Sequence, residues 1–335
     1  MTNYEATRAM LGPHELAVLS DHERGRCVRI ARRGATVLNI EQQLNGGSIH
    51  DFAAGYRDAS ELDTRPSSRF AIMLPFANRI ADARYVFDGQ PQDLQPGVAP
   101  PQRASRHGFV RGTDFEITRL EADAQGAHVT MTTTSIRPGV YPGYPHALDL
   151  AVRFSLQADG LALDVSMRNV GTEAAPCFFG WHPYFQLGDT PVDSWELCIP
   201  ASTAIRTDAD SIPLPGARAD VPLDETPELD FRHPRPIGAI KLDNGFAGLQ
   251  READGRIRTR MRDPHSGLGV VVWQEHGVML AFSADTVTRD VRRSVALEPM
   301  ESYANAFNRP ECAAAIRLEP GTERHFRCGV EILHP

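Results

Sequence analysis

The chain has 335 residues, of which 41% are hydrophobic and 23% are charged, and its formal net charge is −8 at pH 7. The hydrophobic fraction excludes a disordered chain, and the length allows a large buried core. The acidic balance argues against a nucleic-acid partner, because proteins that bind a phosphate backbone usually carry a basic surplus. No apolar run approaches the roughly 18 residues that a membrane span needs, so we expect no membrane partner.

The cysteines and the first residues indicate a cytoplasmic protein. Residues 1–7 have neither the basic start nor the apolar core of a secretory signal. The cysteines are odd in number and widely spaced, which argues against a disulfide framework or a structural zinc site. We expect small, mostly buried thiols at Cys27, Cys177, Cys198, Cys312 and Cys328.

The first predicted elements are strands, because apolar and polar residues alternate and successive strand side chains point to opposite faces. Residues 28–30 alternate in this way. Residues 85–87 lead into Asp88-Gly89, a turn signal, and apolar residues at 129–131 lie among threonines. These segments predict short strands joined by turns.

The clearest alternation predicts a β-hairpin in the middle of the chain. Apolar residues occupy every second position from Leu148 to Leu156 and again from Leu161 to Met167. The connection between the two runs ends in Asp159-Gly160, a hairpin turn signal. One face of this hairpin is therefore expected to be buried.

The rest of the chain continues the β pattern, with apolar runs at 270–273 and 278–282 and alternation at 326–332. Helical periodicity is scarce, so the sequence predicts an all-β fold, a large antiparallel β-sandwich or barrel. The proline-rich stretch 90–102 and the patternless stretch 202–236 are expected to be surface loops. No linker or break in composition is present, so we predict a single domain over residues 1–335.

Two segments in the first third can present polar side chains to a ligand. Asn78 and Arg79 precede a strand-like run, and the Arg79 guanidinium can donate several hydrogen bonds to a polyol or an oxyanion. His107 stands beside Gly108, and histidine titrates near neutrality. The alternatives are a solvated arginine in a loop and a structural histidine in a turn.

A third candidate is His182, which is followed by Pro183 and surrounded by aromatic residues. The proline restricts the backbone of the histidine. Low polarity would lower the pKa of His182, whereas a carboxylate neighbour would raise it. Such a histidine suits general acid catalysis near neutral pH. An aromatic core cluster with one hydrogen-bonded histidine is the alternative.

Three carboxylates are further candidates. Glu298 follows the apolar run 294–297, so we expect it at a strand end facing a cleft, where partial burial would make it a base near pH 7. Glu301 is the alternative carboxylate in the same segment, and a surface acid is the alternative role for Glu298. Asp243 precedes Asn-Gly, which turn chemistry alone explains, although it could also accept hydrogen bonds from two substrate hydroxyls.

Several common motifs are absent from the sequence. It contains no phosphate-binding loop, no Gly-x-Ser-x-Gly nucleophile elbow and no His-Glu-x-x-His helix. No spacing of histidines and acids argues for a metal. We therefore predict neither a metal nor a cofactor.

Taken in order, the candidate segments resemble the aldose 1-epimerase family, the galactose mutarotases, over roughly residues 25–332. The resemblance rests on Asn78-Arg79-Ile80, His107–Arg111, Gly180–Phe185, Asp243, Leu297-Glu298-Pro299 and Asn305–Asn308. It implies a single large antiparallel β-sandwich, often called a supersandwich. It also implies that the chain interconverts the α and β anomers of a free aldose without a cofactor.

The resemblance implies a role for each candidate residue. Glu298 corresponds to the base that takes the proton from the C1 hydroxyl, and His182 to the acid that protonates the ring oxygen. The chemistry independently needs such a pair, because mutarotation removes one proton and adds another. The substrate-binding residues that the resemblance implies are His107, Arg79, Asp243 and Asn78.

Other functions remain open. Fold alone does not determine function, so a non-catalytic sugar-binding or regulatory protein is one alternative, and a sugar-6-phosphate 1-epimerase is another. An unrelated all-β interaction protein would need every motif to be coincidental. Residues 70–77 lack the glycine-rich lead of galactose-specific members, which leaves the sugar open. The expected partner is a small sugar, and the expected oligomeric state is a monomer or a homodimer.

Overall fold

The fold is described from a computed structural model, which covers residues 3–100 and 102–335. The first two residues, on which the expectation about a secretory signal partly rests, lie outside the described residues. Pro101 of the proline-rich stretch also lies outside them.

The described residues form mostly strands. The strands of the first half are β1 Tyr4–Leu11, β2 His14–Asp21, β3 Arg26–Ala31, β4 Thr36–Gln43, β5 Ile49–Asp51, β6 Ala71–Met73, β7 Arg79–Ile80, β8 Arg84–Phe87, β9 Gln90–Asp93, β10 Ser105–Arg106, β11 Glu116–Ala122, β12 Ala127–Ile136, β13 Leu148–Leu156 and β14 Gly160–Asn169. The strands of the second half are β15 Ala175–Pro176, β16 Gly180–His182, β17 Tyr184–Phe185, β18 Glu196–Cys198, β19 Thr203–Ile205, β20 Asp220–Pro222, β21 Arg235–Pro236, β22 Asp243–Ala247, β23 Ile257–Arg262, β24 Gly269–Gln274, β25 Val278–Phe282, β26 Val295–Met300, β27 Arg317–Leu318 and β28 Glu323–Leu333.

Helices are short. Two are α-helical, α1 Ala59–Thr64 and α2 Ala313–Ile316. The 3-10 helices are Pro66–Ser68, Ala81–Ala83, Val110–Gly112, Val192–Ser194, Gly216–Ala219, Leu223–Glu225, Pro227–Leu229, Ala306–Asn308 and Pro310–Cys312. No helix within the described ranges is both long enough and apolar enough to cross a membrane.

Three large sheets contain most strands of the described residues, and three two-stranded sheets contain the rest. The first contains β1 to β5 in sequence order, the second contains nine strands in the order β11-β12-β13-β14-β28-β24-β23-β18-β21, and the third contains eight strands in the order β20-β19-β22-β25-β26-β16-β6 with β17 also paired to β26. All their strand pairs are antiparallel. The prediction of a large antiparallel β-sandwich is therefore confirmed.

Alternation explains why the sheets pack. In β13, every second residue from Leu148 to Leu156 is buried, and β14 pairs with it through an Asp-Gly turn, so the predicted hairpin is confirmed. Buried side chains from the nine-stranded and eight-stranded sheets, such as Phe154 and Leu297, belong to one continuous apolar cluster. Removing this much apolar surface from water is the main force that holds the two sheets together.

Four local predictions need correction. The stretch 202–236 is not patternless, since β19 and β20 extend the eight-stranded sheet, and the stretch 90–102 begins as β9 of a hairpin. Asp243 starts β22 rather than a turn, because Asn-Gly here pairs with β25. Glu298 lies within β26 and not at its end. Pairing partners distant in the sequence override these local turn and end signals.

Candidate active site

One cleft of about 550 Å³ opens beside the eight-stranded sheet. Each of the six residues predicted from the sequence contributes to its lining: Asn78, Arg79, His107, His182, Asp243 and Glu298. They come from five stretches of chain that are distant in the sequence, at the start of β7, after β10, and in β16, β22 and β26. A concave site with several convergent polar groups is the usual form of a small-molecule site.

Strand pairing places His182 beside Glu298. In the antiparallel pair of β16 and β26, Gly180 lies opposite Met300, so moving two residues along each strand brings His182 and Glu298 together. The His182 Nε2 atom lies 3.3 Å from Glu298 Oε1. The other carboxyl oxygen, Glu298 Oε2, has no hydrogen-bond partner among the described residues. The pair therefore contains a buried carboxyl oxygen without a partner in the protein.

Burial controls the protonation of this pair. The side chains of His182 and Glu298 are only 7% and 2% exposed, and burial penalises the charged form of each. Burial raises the pKa of Glu298 well above its usual value, with a further increase from the charge of Asp243 and an opposing effect of Arg79. Burial also lowers the pKa of His182 to about 3. Burial therefore shifts both groups toward their uncharged forms.

His107 is held against the same pair by an unusual backbone. It has a left-handed φ of 61°, and its N–H donates to the Asn78 carbonyl at 2.8 Å. Its ring lies edge-on to the His182 ring at 5.1 Å between centroids. Burial and the nearby His182 lower the pKa of His107 well below its usual value. A neutral His107 can donate or accept a hydrogen bond in the cleft.

Gly108 allows the chain after His107 to pass close to Leu74, and this close approach leads to a prediction about stability. Its φ is +64°, and a Cβ there would lie 2.0 Å from the Leu74 carbonyl oxygen. Gly108→Ala is expected to lower the free energy of unfolding by at least about 2 kcal/mol, because strain and a backbone clash add. Gly89→Ala is the matched control, since Gly89 also has a positive φ but has open space around it. The free energies of unfolding would be measured by urea denaturation. An equal decrease in the two variants would contradict the role of the clash.

Asn78 and Arg79 act together at the edge of the cleft. Asn78 is buried with a φ of 55°, and its Oδ1 accepts a hydrogen bond from Arg79 Nη1 at 3.0 Å. The Asn305 N–H donates to the Arg79 carbonyl at 2.7 Å. The segment Asn305–Asn308, which was part of the sequence resemblance, therefore supports the Arg79 backbone rather than lining the cleft.

Asp243 lines the cleft, whereas Glu301 does not. Asp243 is exposed at the mouth of the cleft. The Glu301 carboxyl pairs with Arg324 Nε at 2.8 Å and accepts from the Phe179 N–H at 2.9 Å. Of the two carboxylates left open in this segment, the cleft therefore contains Glu298.

Sequence reasoning missed several residues of the cleft. Tyr184 stacks on His182 with ring centroids 5.0 Å apart and planes 9° apart, and its hydroxyl donates to the Ser67 carbonyl at 3.1 Å. The spacing i, i+2 in Trp181–Phe185 would have placed His182 and Tyr184 on one side of a strand. Other missed residues are Ser67, Ser68, Arg106, Arg111, Phe282, Thr286, Val287 and Thr288. Arg106 lies in β10 and Phe282 at the end of β25, whereas the others come from short 3-10 helices and a loop that carry no periodic signal.

The described residues contain no group of three or more histidine, cysteine or acidic side chains that could hold a metal ion. The polar groups of the cleft are instead hydrogen-bond donors and acceptors of the kind that a polyol requires.

Comparisons with known proteins identify the family of this chain. The family model described as aldose 1-epimerase matches residues 17–331. The uncharacterized protein YihR of Escherichia coli is 30% identical over 238 residues, which cover 71% of this chain and 71% of that protein. The aldose 1-epimerase of Escherichia coli is 26% identical over 257 residues, covering 73% of this chain and 70% of that enzyme.

Solved structures share the fold at lower identity. Galactose 1-epimerase from Lactobacillus acidophilus superposes with a TM-score of 0.80 at 15% identity, and the match covers all of both chains. A GalM/aldose epimerase homologue from Caenorhabditis elegans gives a TM-score of 0.78 at 15% identity over 99% of each chain. Because the family model spans nearly the whole sequence, this chain belongs to the aldose 1-epimerase family.

Proposed function

We propose that this protein interconverts the α and β anomers of a free aldose by opening and closing the sugar ring. The contact that carries the proposal is the 3.3 Å approach of His182 Nε2 to Glu298 Oε1 inside a cleft lined by hydroxyl-binding groups. Mutarotation needs a base at the C1 hydroxyl and an acid at the ring oxygen. Two groups of different chemistry that share one proton meet that need.

The proton balance assigns a role to each group. Glu298 takes the proton of the C1 hydroxyl while the bond between C1 and the ring oxygen breaks, and His182 donates a proton to that oxygen. The open aldehyde rotates about the bond between C1 and C2. On closure, His182 regains its proton from the ring hydroxyl and Glu298 returns one to the carbonyl oxygen. The protein ends in its starting state.

The number of protons on the free pair supports this scheme, but the scheme also needs a proton transfer from Glu298 to His182 before the reaction begins. The uncharged pair, which burial favours, holds one proton, the same number as the carboxylate and imidazolium that begin the reaction. One transfer from Glu298 to His182 across their contact produces the reactive pair. Polar sugar hydroxyls, which replace water around the charges, favour that transfer.

The remaining cleft residues would hold the sugar. His107 is proposed as a hydrogen-bond partner of the ring oxygen, and Arg79 and Asp243 as partners of the other hydroxyls, with Asn78 orienting the Arg79 guanidinium. The Tyr184 ring, stacked on His182, fixes the plane of the imidazole. Locking reacting groups in place in this way is a large part of catalysis.

One observation favours a second candidate, a sugar-6-phosphate 1-epimerase. Arg79, Arg106 and Arg111 line the cleft, and none of them forms an ion pair with a carboxylate of the described residues. Their hydrogen bonds go to Asn78 Oδ1, the Ser68 hydroxyl and the Arg106 carbonyl. Arginine is well suited to bind phosphate.

A panel of sugars distinguishes these candidates. Catalysed mutarotation of galactose, glucose, arabinose, xylose, rhamnose and glucose 6-phosphate would be followed by polarimetry or NMR saturation exchange. We expect acceleration of at least one neutral sugar. A KM for glucose 6-phosphate at least about tenfold below that for glucose, lost in Arg106→Ala, would favour the phosphorylated substrate. Sugar binding by calorimetry without acceleration of any sugar would instead favour a non-catalytic binding protein.

We further propose a cytoplasmic location for the protein, since the five cysteines are all free thiols. Fractionation of cells that express the tagged chain would test it. The expectation of a monomer or a homodimer stays a prediction, to be checked by light scattering.

A further inference from the structure

One part of the cleft lining has no role in the scheme above. Thr286, Val287 and Thr288 line it, and they belong to the connection between β25 and β26. The Arg292 N–H donates to the Ala284 carbonyl at 3.1 Å, which closes residues 284–292 into a loop, here called the 284–292 loop. Because β26 carries Glu298, this loop leads directly into the strand with the proposed base.

Two arginines that follow the cleft residues in the chain, Arg289 and Arg292, anchor the loop. Arg289 makes a two-pronged ion pair with Glu61 of α1, at 2.7 Å and 2.8 Å, and donates to the Gly55 carbonyl at 2.8 Å. Paired arginine–carboxylate contacts of this kind restrict geometry as well as contributing energy. The loop is therefore attached to a helix far from it in sequence.

The second anchor ties the loop to the strand that carries Asp243. Arg292 bonds Asp285 at 2.9 Å and Asp193 at 2.7 Å. It also donates to the carbonyls of Gly238 and Ile240, at 2.7 Å and 3.0 Å, just before β22. One guanidinium thus holds together the loop that contains Thr286 and Thr288 and the segment that precedes Asp243.

The backbone angles of the loop indicate that its conformation is imposed by surrounding contacts. Ala284, Asp290 and Arg292 all have a positive φ, between 53° and 56°. Residues other than glycine adopt this region at a cost and keep it only when surrounding contacts impose it. The contacts of Arg289 and Arg292 supply that constraint.

The side chains that the loop presents suit a polyol. Thr286 and Thr288 are exposed, and neither hydroxyl has a protein hydrogen-bond partner among the described residues, whereas Val287 between them is buried. A threonine hydroxyl can both donate and accept, as a sugar hydroxyl does.

We propose that the 284–292 loop is a preformed specificity wall, in which Thr286 and Thr288 bind sugar hydroxyls away from C1 and Arg289 and Arg292 are positioning residues. The inference rests on the proposed function and deepens it, because it names residues that choose among aldoses. A sugar that lacks the matching hydroxyl would leave a threonine hydroxyl without a partner, so the site would discriminate against that sugar.

The first test removes the hydroxyls while preserving shape. In Thr286→Val and Thr288→Val, we expect kcat/KM for the best sugar of the panel to fall about tenfold, the equivalent of one neutral hydrogen bond. The loss should be smaller for a sugar that lacks the contacted hydroxyl. An equal loss for every sugar, or no loss, would overturn the specificity role.

The second test concerns the anchors. In Arg289→Ala and Arg292→Ala, we expect KM to rise about tenfold while kcat changes by less than about threefold, because misplacing binding groups weakens binding first. Arg292→Lys should recover part of the loss. Arg57→Ala is the matched control: it removes another ion pair to the same loop, at Asp290, but one whose arginine is 64% exposed, and such pairs contribute little.

The outcomes separate this inference from the proposed function. If the wild type accelerates mutarotation and the KM values of the anchor variants equal that of Arg57→Ala, the specificity wall is refuted and the proposed function stands. If the wild type accelerates no sugar, the proposed function fails, and calorimetric sugar binding decides the wall: weaker binding in Thr286→Val supports it, and unchanged binding overturns it. A fall in melting temperature without a change in KM would show a structural role only.

Discussion

Replacing Glu298 with glutamine is expected to abolish catalysed mutarotation while leaving the fold intact. Glutamine fills the same volume and keeps a hydrogen-bond partner for His182, but it cannot take the proton of the C1 hydroxyl. A general base contributes about 10²–10⁴-fold to a rate, so we expect kcat to fall by at least about 100-fold. Polarimetry on the best sugar of the panel measures this loss. Activity within a few-fold of the wild type would refute the assignment of the base.

Two controls show that the loss is chemical. Glu301→Gln removes a second buried carboxyl from the same segment, one that pairs with Arg324 outside the cleft, and it should retain activity even if it is less stable. Glu298→Gln itself should gain stability relative to the wild type as the pH rises. The pKa of Glu298 is higher in the folded state than in the unfolded state, so the wild type loses this contribution as the pH rises above the unfolded value. Melting temperatures at pH 4 and pH 8 test that sign.

The second large effect is expected in His182→Gln. Glutamine keeps a polar side chain beside Glu298 but cannot transfer a proton to the ring oxygen, so we expect kcat to fall about 10²–10⁴-fold with a smaller change in KM. His276→Gln is the matched control, because His276 is a partly buried histidine that lies edge-on to Phe326 and outside the cleft.

The pH profile gives an independent readout of the same pair. The reactive state holds one proton over His182 and Glu298. Because the pKa of His182 is lowered to about 3 and that of Glu298 is raised, the pair holds one proton above pH 3 and up to the raised pKa of Glu298. We expect kcat/KM not to fall between pH 6.5 and pH 5, and to fall as the pH rises above the raised pKa of Glu298. A fall below pH 6.5 with no alkaline limb would instead indicate a histidine of ordinary pKa acting alone.

Local pattern was enough for much of the fold. The alternation from Leu148 to Met167 predicted a hairpin with one buried face, and the structure confirms it, because a slip of one residue would turn the apolar side chains to the other face. The same reasoning failed at Asp243, where Asn-Gly indicated a turn and the chain forms β22. Pairing with β25 outweighed the turn preference there, and that partner lies too far along the sequence for a local pattern to show.

The sequence by itself determined the β class, the family and six of the polar residues that line the cleft, since residue type, alternation and motif order are local properties. Only the tertiary structure decided which carboxylate faces the cleft, because Glu298 and Glu301 are three residues apart and strand register alone turns one toward His182 and the other toward Arg324. It also supplied the desolvation that sets the pKa values of the pair. The 284–292 loop belongs to the same category, since its anchors at Glu61 and Asp193 are distant in sequence and no local signal links them.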